Sequence, residues 1–341
     1  MKKLLLLVVL SVPALTLAGC GGDEGGSAGG TLVVYSGREE ELVKPLFDRF
    51  EQETGTKVEV RYGDSAELAA TIAEEGDNSP ADVFFAQDPG SLGAVDSRLA
   101  KLPDSILKRV PEQFRDSEGR WVGTSGRARV IVYNTDELTA AEVPDSVFDL
   151  TDPKWKGKLG IAPTNASFQA FVTAMRLDVG EERTREWLQG IKANDPKFYE
   201  KNTPVVEATA SGEVQLGLVN HYYLYLVKKE LGADAPIANK YLPGDDPGAL
   251  VSVAGAGVLA GSKHEREARN FLEFLLSDKS QRFYVDEAEE AEIPLVAGID
   301  PKPGIPSLTE LEQRGPRVDL SSFGGELEKT LELLNETGFT S

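Results

Sequence analysis

The sequence predicts an α/β protein built from two units. Short apolar segments of strand length alternate with amphipathic segments of helix length, in two runs of which the second starts near Arg129. Alternating strands and helices predict a mostly parallel sheet with helices on both faces. A length of 341 residues leaves room for two such domains.

The first run opens with a buried strand and an amphipathic helix. The predicted strands are residues 31–35, 57–62 and 81–85, and a second helix is predicted at 66–74. Ser36 offers a helix N-cap, and Glu39 stands three residues later, which is the spacing of a capping box. Gly55 is expected to end that first helix.

The second run repeats the pattern over a longer stretch. The predicted strands are residues 129–133, 159–162, 214–219 and 249–259, and the predicted helices are 168–177, 182–191, 224–231, 265–276 and 327–336. In open α/β sheets, ligands bind beyond the carboxyl ends of the strands. Functional side chains are therefore expected where the strands end.

The N-terminus reads as a secretory signal that ends in a lipidation site. Lys2 and Lys3 precede an apolar run that is too short to cross a membrane comfortably. The sequence LAGC at 17–20 resembles the bacterial lipobox. We expect removal of 1–19, a lipid on Cys20 and a flexible tether over 20–30, although a plain signal peptide with a chance cysteine is the alternative. The protein is then extracytoplasmic and lipid-anchored to the cell membrane, in the periplasm or on the outer face.

Composition removes several classes of site. One Cys excludes a disulfide framework and any Cys-clustered zinc or iron–sulfur site, and two His exclude a three-His metal centre. A net charge of −20 argues against a nucleic-acid-binding protein.

The most specific chemistry is a tyrosine pair at a strand–helix junction. Tyr222 and Tyr223 follow the strand at 214–219, and the turn of the backbone can aim both phenols into one cleft. A phenol ionises near pH 10, so a neutral-pH phenolate needs a strong cation. Fe³⁺ is such a cation and prefers hard anionic oxygen. The alternative is a pair of core or sugar-stacking aromatic residues.

Two further stretches favour anion binding. Residues 164–167 precede a helix, where backbone N–H groups bind oxyanions, and Asn165 and Ser167 can add side-chain bonds. Simple N-capping is the alternative there. Arg127 can bind a carbonate, phosphate or carboxylate through its planar fork, or it can form an ion pair between the lobes.

The combination of motifs resembles the bacterial periplasmic ferric-ion-binding proteins, which are the solute receptors of iron(III) ABC importers. The resemblance covers residues 32–301. It rests on VYSG at 34–37, FEQETG at 50–55, EEG at 74–76, SPADVF at 79–84, SGRARVIVY at 125–133, PKWKGK at 153–158, KN at 201–202, NHYY at 220–223 and DPGALVS at 246–252.

The resemblance implies a two-lobed, type II periplasmic-binding-protein fold with a mixed, mostly parallel sheet in each lobe and two hinge strands. It implies an N-lobe of residues 31–127 and 251–305 and a C-lobe of 128–250 and 306–341. Fe³⁺ is then the cargo of Tyr222 and Tyr223.

A synergistic anion completes the site in several members of that family. The phosphate-type pocket falls on Asn165, Ala166, Ser167, Asn202 and Asn220. In carbonate-type members an arginine takes that role, and Arg127 matches.

The sequence departs from the family at two ligand positions. Glu39 stands where well-known members have a His, and it could bind iron or only complete the capping box. Gln87 followed by Asp88 stands where a carboxylate is common, so Asp88, water or the anion could fill that position.

The expected function is therefore a binding protein and not an enzyme. It captures Fe³⁺ and delivers it, as a monomer, to an ABC permease and its ATPase. A receptor for a polyamine, thiamine, phosphonate or other small solute is the alternative, with a secreted hydrolase third, because the sequence has no HExxH motif and only two, poorly placed, His.

Overall fold

The computed structural model describes residues 30–288, 291–313 and 318–340. The expected signal peptide, the lipidation site at Cys20 and most of the tether lie outside these ranges. Among the helices within them, none is both long enough and apolar enough to cross a membrane.

One mixed sheet of nine strands runs through the described part of the chain. The strands are β1 (Leu32–Ser36), β2 (Val58–Tyr62), β3 (Val83–Ala86), β4 (Trp121–Asn134), β5 (Leu159–Ile161), β6 (Lys197–Phe198), β7 (Leu216–Asn220), β8 (Ile237–Lys240) and β9 (Val251–Val258). Their order is β2-β1-β3-β9-β4-β7-β5-β6, with β8 paired to β4. The parallel pairs lie in the outer parts, whereas each antiparallel pair includes β4 or β9.

Strand β4 joins two halves of this sheet. Its residues 121–128 pair with β9, and its residues 129–134 pair with β7 and β8. We call β1, β2, β3, β9 and residues 121–128 the first half, and residues 129–134 with β5 to β8 the second half. The long strand places the strand ends of both halves around one central space.

Helices cover the sheet on both sides. They are α1 (Glu40–Thr54), α2 (Ser65–Glu75), α3 (Pro89–Ala94), α4 (Asp104–Leu107), α5 (Ala166–Val179), α6 (Glu181–Ala193), α7 (Asn202–Ala210), α8 (Tyr223–Leu231), α9 (Glu265–Leu275), α10 (Asp278–Asp286), α11 (Leu308–Glu312) and α12 (Phe323–Glu336). The predicted α/β class with flanking helices is confirmed.

The predicted elements are present with shifts of a few residues, but helices α7 and α10, of nine residues each, are not among them, and β4 is longer than expected. It begins at Trp121 and not near Arg129. Gly123 and Gly126 interrupt the apolar pattern there, which hid the strand. Gly123 is needed because a Cβ at that position would lie 2.5 Å from the carbonyl oxygen of Phe114.

The predicted capping box at the start of α1 is wrong. The helix begins at Glu40, and Glu39 occupies the N-cap position without a side-chain capping bond. The Ser36 hydroxyl instead accepts a hydrogen bond from the backbone N–H of Arg38 at 3.2 Å. The structural explanation for Glu39 is thereby removed. Gly55 ends α1 as predicted, with a φ of 72°.

Each half has its own aromatic cluster under the helices. In the first half, Phe271 of α9 stacks on Phe47 of α1, with ring centroids 5.4 Å apart. In the second half, Phe171 of α5 meets Trp187 of α6 edge to face at 5.6 Å. Such aromatic pairs add to the stabilisation that burial of their area already gives.

The last helix, α12, touches both halves. Thr330 shares a buried hydrogen bond of 2.8 Å with Thr173 of α5 in the second half. On its other side the backbone of Gly324 crosses α3, and a Cβ at Gly324 would lie 2.4 Å from the carbonyl carbon of Gly93. Two glycines thus allow α12 to lie directly against the first half.

Candidate metal centre

A cavity of about 640 Å³ lies where the strand ends of the two halves meet. It contains nearly all of the residues that the sequence predicts for the site. The predicted residues that line it are Glu39, Gln87, Asp88, Arg127, Asn165, Ala166, Ser167, Asn220, Tyr222 and Tyr223. Phe323 and Leu327 of α12 close part of its wall.

The two tyrosines converge as predicted. Strand β7 ends at Asn220, Tyr222 holds the N-cap position of α8, and Tyr223 is the first helical residue. Their ring centroids are 4.4 Å apart with the planes inclined by 32°. Both rings reach the cavity, and the positive end of the α8 dipole lies beside them, where it favours anionic oxygen.

His221 turns away from the cavity into the protein. Its Nδ1 accepts a hydrogen bond from the backbone N–H of Ala128 at 3.2 Å, so its Nε2–H donates to the carbonyl oxygen of Ala291 at 3.1 Å. Burial lowers the pKa of His221 to about 4, which keeps the imidazole neutral. The ring therefore fixes the backbone before the tyrosine pair and does not reach a ligand.

The first half offers fewer free donors. Glu39 is exposed at the edge of the cavity. Asp88 caps α3, since its two carboxylate oxygens accept from the N–H and the hydroxyl of Ser91, each at 2.8 Å. Burial raises the pKa of Asp88. The main-chain carbonyl oxygen of Gln87 accepts a hydrogen bond from Arg127 Nη1 at 2.9 Å.

Acidic, His and Cys side chains do not form a metal cluster of three in the described ranges. A metal ion in this cavity would therefore depend on the phenols. This agrees with the sequence, whose shortage of His requires an oxygen-rich site.

Three of the predicted anion residues, Asn165, Ser167 and Asn202, form one hydrogen-bonded group at the start of α5. Asn165 caps the helix by accepting from the backbone N–H of Ser167 at 3.0 Å. Asn202 lies behind and donates to both Asn165 Oδ1 and Ser167 Oγ at 3.0 Å. Asn220 lines the same cavity from the end of β7. The group combines N-capping with a helix N-terminus open to the cavity.

Arg127 forms an ion pair, but not the pair between the lobes that the sequence left as its alternative role, because its partner Glu292 also belongs to the expected N-lobe. Its Nε donates to Glu292 Oε1 at 2.7 Å, and its Nη1 donates to Gln87 O. The guanidinium carbon lies 5.6 Å from the centroid of the Tyr222 ring. Sequence reasoning missed Glu292, because it lies 165 positions from Arg127 with no local motif around it.

Arg129 is the second residue that sequence reasoning missed. It lines the cavity, is 2% exposed, and donates to Leu218 O at 2.6 Å and to Ser167 Oγ at 3.4 Å. No carboxylate of the described ranges lies within ion-pair distance of it. Burial lowers the pKa of Arg129 to about 9, so it remains a cation at neutral pH. Alternation along β4 was the available signal, because residues 127 and 129 lie on one face.

Comparison with known proteins identifies the family. The sequence model of one family, described as bacterial extracellular solute-binding protein, matches residues 78–302. The chain belongs to this family. The expectation of a binding protein that is not an enzyme is confirmed, and so is an extracytoplasmic, ABC-transport setting.

Named relatives extend this over almost the whole chain. The "Fe(3+)-binding periplasmic protein" of Serratia marcescens is 36% identical over 321 residues, which is 93% of each chain. The solved structure of iron-bound HitA from Pseudomonas aeruginosa matches with a TM-score of 0.81 and 35% identity, covering 90% of this chain and 99% of that one. A Trichodesmium protein solved with iron and citrate matches with a TM-score of 0.78 and 28% identity, covering 91% of this chain and 100% of that one. The two-lobed fold expected from the sequence is confirmed.

Proposed function

We propose that this solute-binding protein captures Fe³⁺ between its two halves and delivers it to an ABC permease and its ATPase. The observation that carries the proposal is the pair of phenols, 4.4 Å apart between ring centroids, beside a buried cation and an anion pocket. Two phenolates are strong ligands for a small trivalent cation, which lowers their pKa on binding. The names of the relatives support the same cargo.

We assign the iron ligands to Tyr222 and Tyr223, with Glu39 as the third. Glu39 is exposed at the cavity and makes no capping bond to α1. Asp88 is the weaker candidate because Ser91 already occupies both of its oxygens. Gln87 is a neutral residue and a poor ligand for Fe³⁺.

The synergistic anion, carbonate or phosphate, is assigned to the pocket of Asn165, Ala166, Ser167, Asn202 and Asn220. Arg129 supplies its positive charge, since it lies against Ser167 and no carboxylate in the described part of the chain pairs with it. Arg127 remains a prediction as an anion ligand, but Glu292 and Gln87 already hold it.

We further propose that the two halves are the lobes, with 31–127 and 251–305 in the N-lobe and 128–250 and 306–341 in the C-lobe. Ala128 pairs with Val251, so two of the three expected crossing points lie side by side on adjacent strands, which supports this division. Closure of the lobes on iron would be the signal that the permease recognises. We also propose that the protein acts as a monomer held to the membrane by a lipid on Cys20.

The test is a visible spectrum of the purified protein after addition of ferric ion with carbonate, phosphate or citrate. We expect a tyrosinate-to-iron charge-transfer band that weakens in Tyr222→Phe and in Tyr223→Phe. Tyr225→Phe is the matched control, because Tyr225 is a half-buried phenol of the same helix that packs against the core. Absence of a band in the wild type would overturn the proposal, as would a band unchanged in both variants. Tight binding of an organic solute, together with no detectable binding of iron, would instead favour the alternative cargo.

A further inference from the structure

A buried chain of ion pairs runs beside the tyrosine pair. Glu292 accepts from Arg127 Nε at 2.7 Å through one carboxylate oxygen, and from Arg38 Nη2 at 2.9 Å through the other. Ser125 donates to the second oxygen at 2.7 Å. The side chains of Arg38 and Glu292 are fully buried and that of Arg127 is 6% exposed. One carboxylate thus sets the position of two cations.

The backbone holds this carboxylate at a defined place. Ile293, the next residue, exchanges two backbone hydrogen bonds with Gly126 of β4, at 2.7 and 3.0 Å. Ala291, the preceding residue, accepts the Nε2–H of His221. The segment that carries Glu292 is therefore tied both to β4 and to the residue just before Tyr222.

Stability alone does not account for such an arrangement. A buried ion pair is often no more stabilising than apolar residues of the same volume. What the ion pair does fix is geometry, because it holds the Arg127 guanidinium carbon 5.6 Å from the centroid of the Tyr222 ring. Burial alone would raise the pKa of Glu292. The charges of Arg127 and Arg38 outweigh burial and lower this pKa to about 2, so the carboxylate is ionised in the folded protein at neutral pH.

We propose that Glu292 is a positioning residue for metal capture, which acts by fixing the Arg127 cation over the ring of Tyr222. The inference rests on the proposed iron site. A cation fixed at this point packs on the face of the Tyr222 ring and so fixes the direction in which its phenol oxygen points. Because Glu292 holds Arg127 through its Nε, Arg127 stays beside the Tyr222 ring. The arginine that binds the anion is then Arg129.

Glu292→Gln is the decisive variant, since it retains the shape and an oxygen acceptor but loses the charge. Loss of a residue that orients a ligand costs about 10–100-fold in metal affinity. We expect Glu292→Gln to release iron at least about tenfold faster to a competing chelator and to shift the charge-transfer band. A residue with a purely structural role would lower the melting temperature without moving the band.

A double-mutant cycle then tests whether the effect passes through Arg127. In an Arg127→Leu background, Glu292→Gln is expected to have no further effect on the band or on iron release. Glu292→Asp is the second variant, in case the Gln variant folds poorly. It keeps the charge but is one methylene too short to hold both arginines, and we expect an intermediate band shift.

The outcomes separate the two proposals. A wild-type protein without a band overturns the iron site and this inference together. If the wild type shows the band, and Glu292→Gln changes neither the position of the band nor the rate of iron release, this inference alone is overturned. An effect of Glu292→Gln that persists in full without Arg127 also overturns it.

Discussion

The two halves of the molecule contribute unequal chemistry to the cavity. The second half brings Tyr222 and Tyr223, which follow the end of β7, and Arg129, which lies in the middle of β4 opposite Asn220. The first half brings Glu39, which is exposed, and Asp88, which is already bonded as a helix cap. We infer that the second half holds the metal and its anion, while the first half completes the site on closure.

The largest effect is expected from removing the second half's ligands. The double variant Tyr222→Phe/Tyr223→Phe should lose iron binding altogether, because no described cluster of acidic, His or Cys residues can replace the phenols. The matched change in the first half is Glu39→Gln/Asp88→Asn, which should weaken iron binding yet keep the charge-transfer band. Competition titration with a chelator measures both. Equal losses in the two doubles would contradict the unequal division.

The buried ion pair next to the tyrosines predicts a pH dependence of stability. The folded pKa of Glu292, about 2, lies below the value of about 4.3 for an unfolded glutamate. Its ionisation therefore stabilises the fold above pH 4.3, and this contribution is lost as the pH falls toward 2. At neutral pH, Glu292→Gln should lower the free energy of unfolding by about 3 kcal/mol, and the gap to the wild type should narrow in acid.

Urea unfolding of the iron-free protein at several pH values measures this gap. Glu287→Gln is the control, because the Glu287 carboxylate pairs with Arg49 at the surface, with 52% of the side chain exposed. We expect that control to change stability by less than about 1 kcal/mol at every pH. A constant gap for Glu292→Gln across the acid range would show that its carboxylate is not held in ionised form.

Arg129 gives a smaller effect that sharpens the assignment of the anion. Arg129→Met should lower the affinity for iron about tenfold, which is the lower end of the range for a residue that supports metal ligands. It should also remove the dependence of iron binding on added carbonate or phosphate. The iron-free variant should not lose stability through a broken ion pair, since no described carboxylate pairs with Arg129. Arg129→Lys keeps the charge and is the control. Retained anion dependence in Arg129→Met would place the anion elsewhere.

The smallest effect concerns the helix that touches both halves. Gly324→Ala should destabilise the protein by about 1 kcal/mol, because its Cβ would lie 2.4 Å from Gly93 and force α12 away from α3. Gly325→Ala is the neighbouring control, as no atom lies within 4 Å of its Cβ. That change should be neutral or slightly stabilising, since alanine favours helix. Thermal melting of both variants compares them. Equal melting temperatures would mean that α3 can move away from α12 without loss of stability.

Local patterns predicted most of the fold and the centre of the site. The alternation of apolar residues located the strands, and the adjacency of Tyr222 and Tyr223 located the tyrosine pair. Both patterns involve only a few consecutive residues. The role of Glu39 was obscured by a capping pattern that Ser36 does not complete, since its hydroxyl bonds to Arg38 instead.

The remaining site residues depend on long-range contacts. Glu292 bonds to Arg38 across 254 positions, a distance over which no periodicity operates. Arg129 is different, since its place on the same strand face as Arg127 was available from the alternation of β4. Its burial without a carboxylate partner among the described residues was not available, because that burial depends on Phe168 and Phe171, whose rings pack 5.6 and 5.2 Å from its guanidinium.

The position of β9 has a consequence for the order of assembly. In the sheet β9 lies between β3 and β4, although more than a hundred residues separate β4 from it along the chain. As the polypeptide emerges from its N-terminus, β1, β2 and β3 can pair, but the open edge of β3 has no neighbour until residue 258 has appeared. Such an edge invites pairing with other chains. A chaperone that covers the β3 edge during synthesis or export would therefore protect this protein when it is most prone to aggregate.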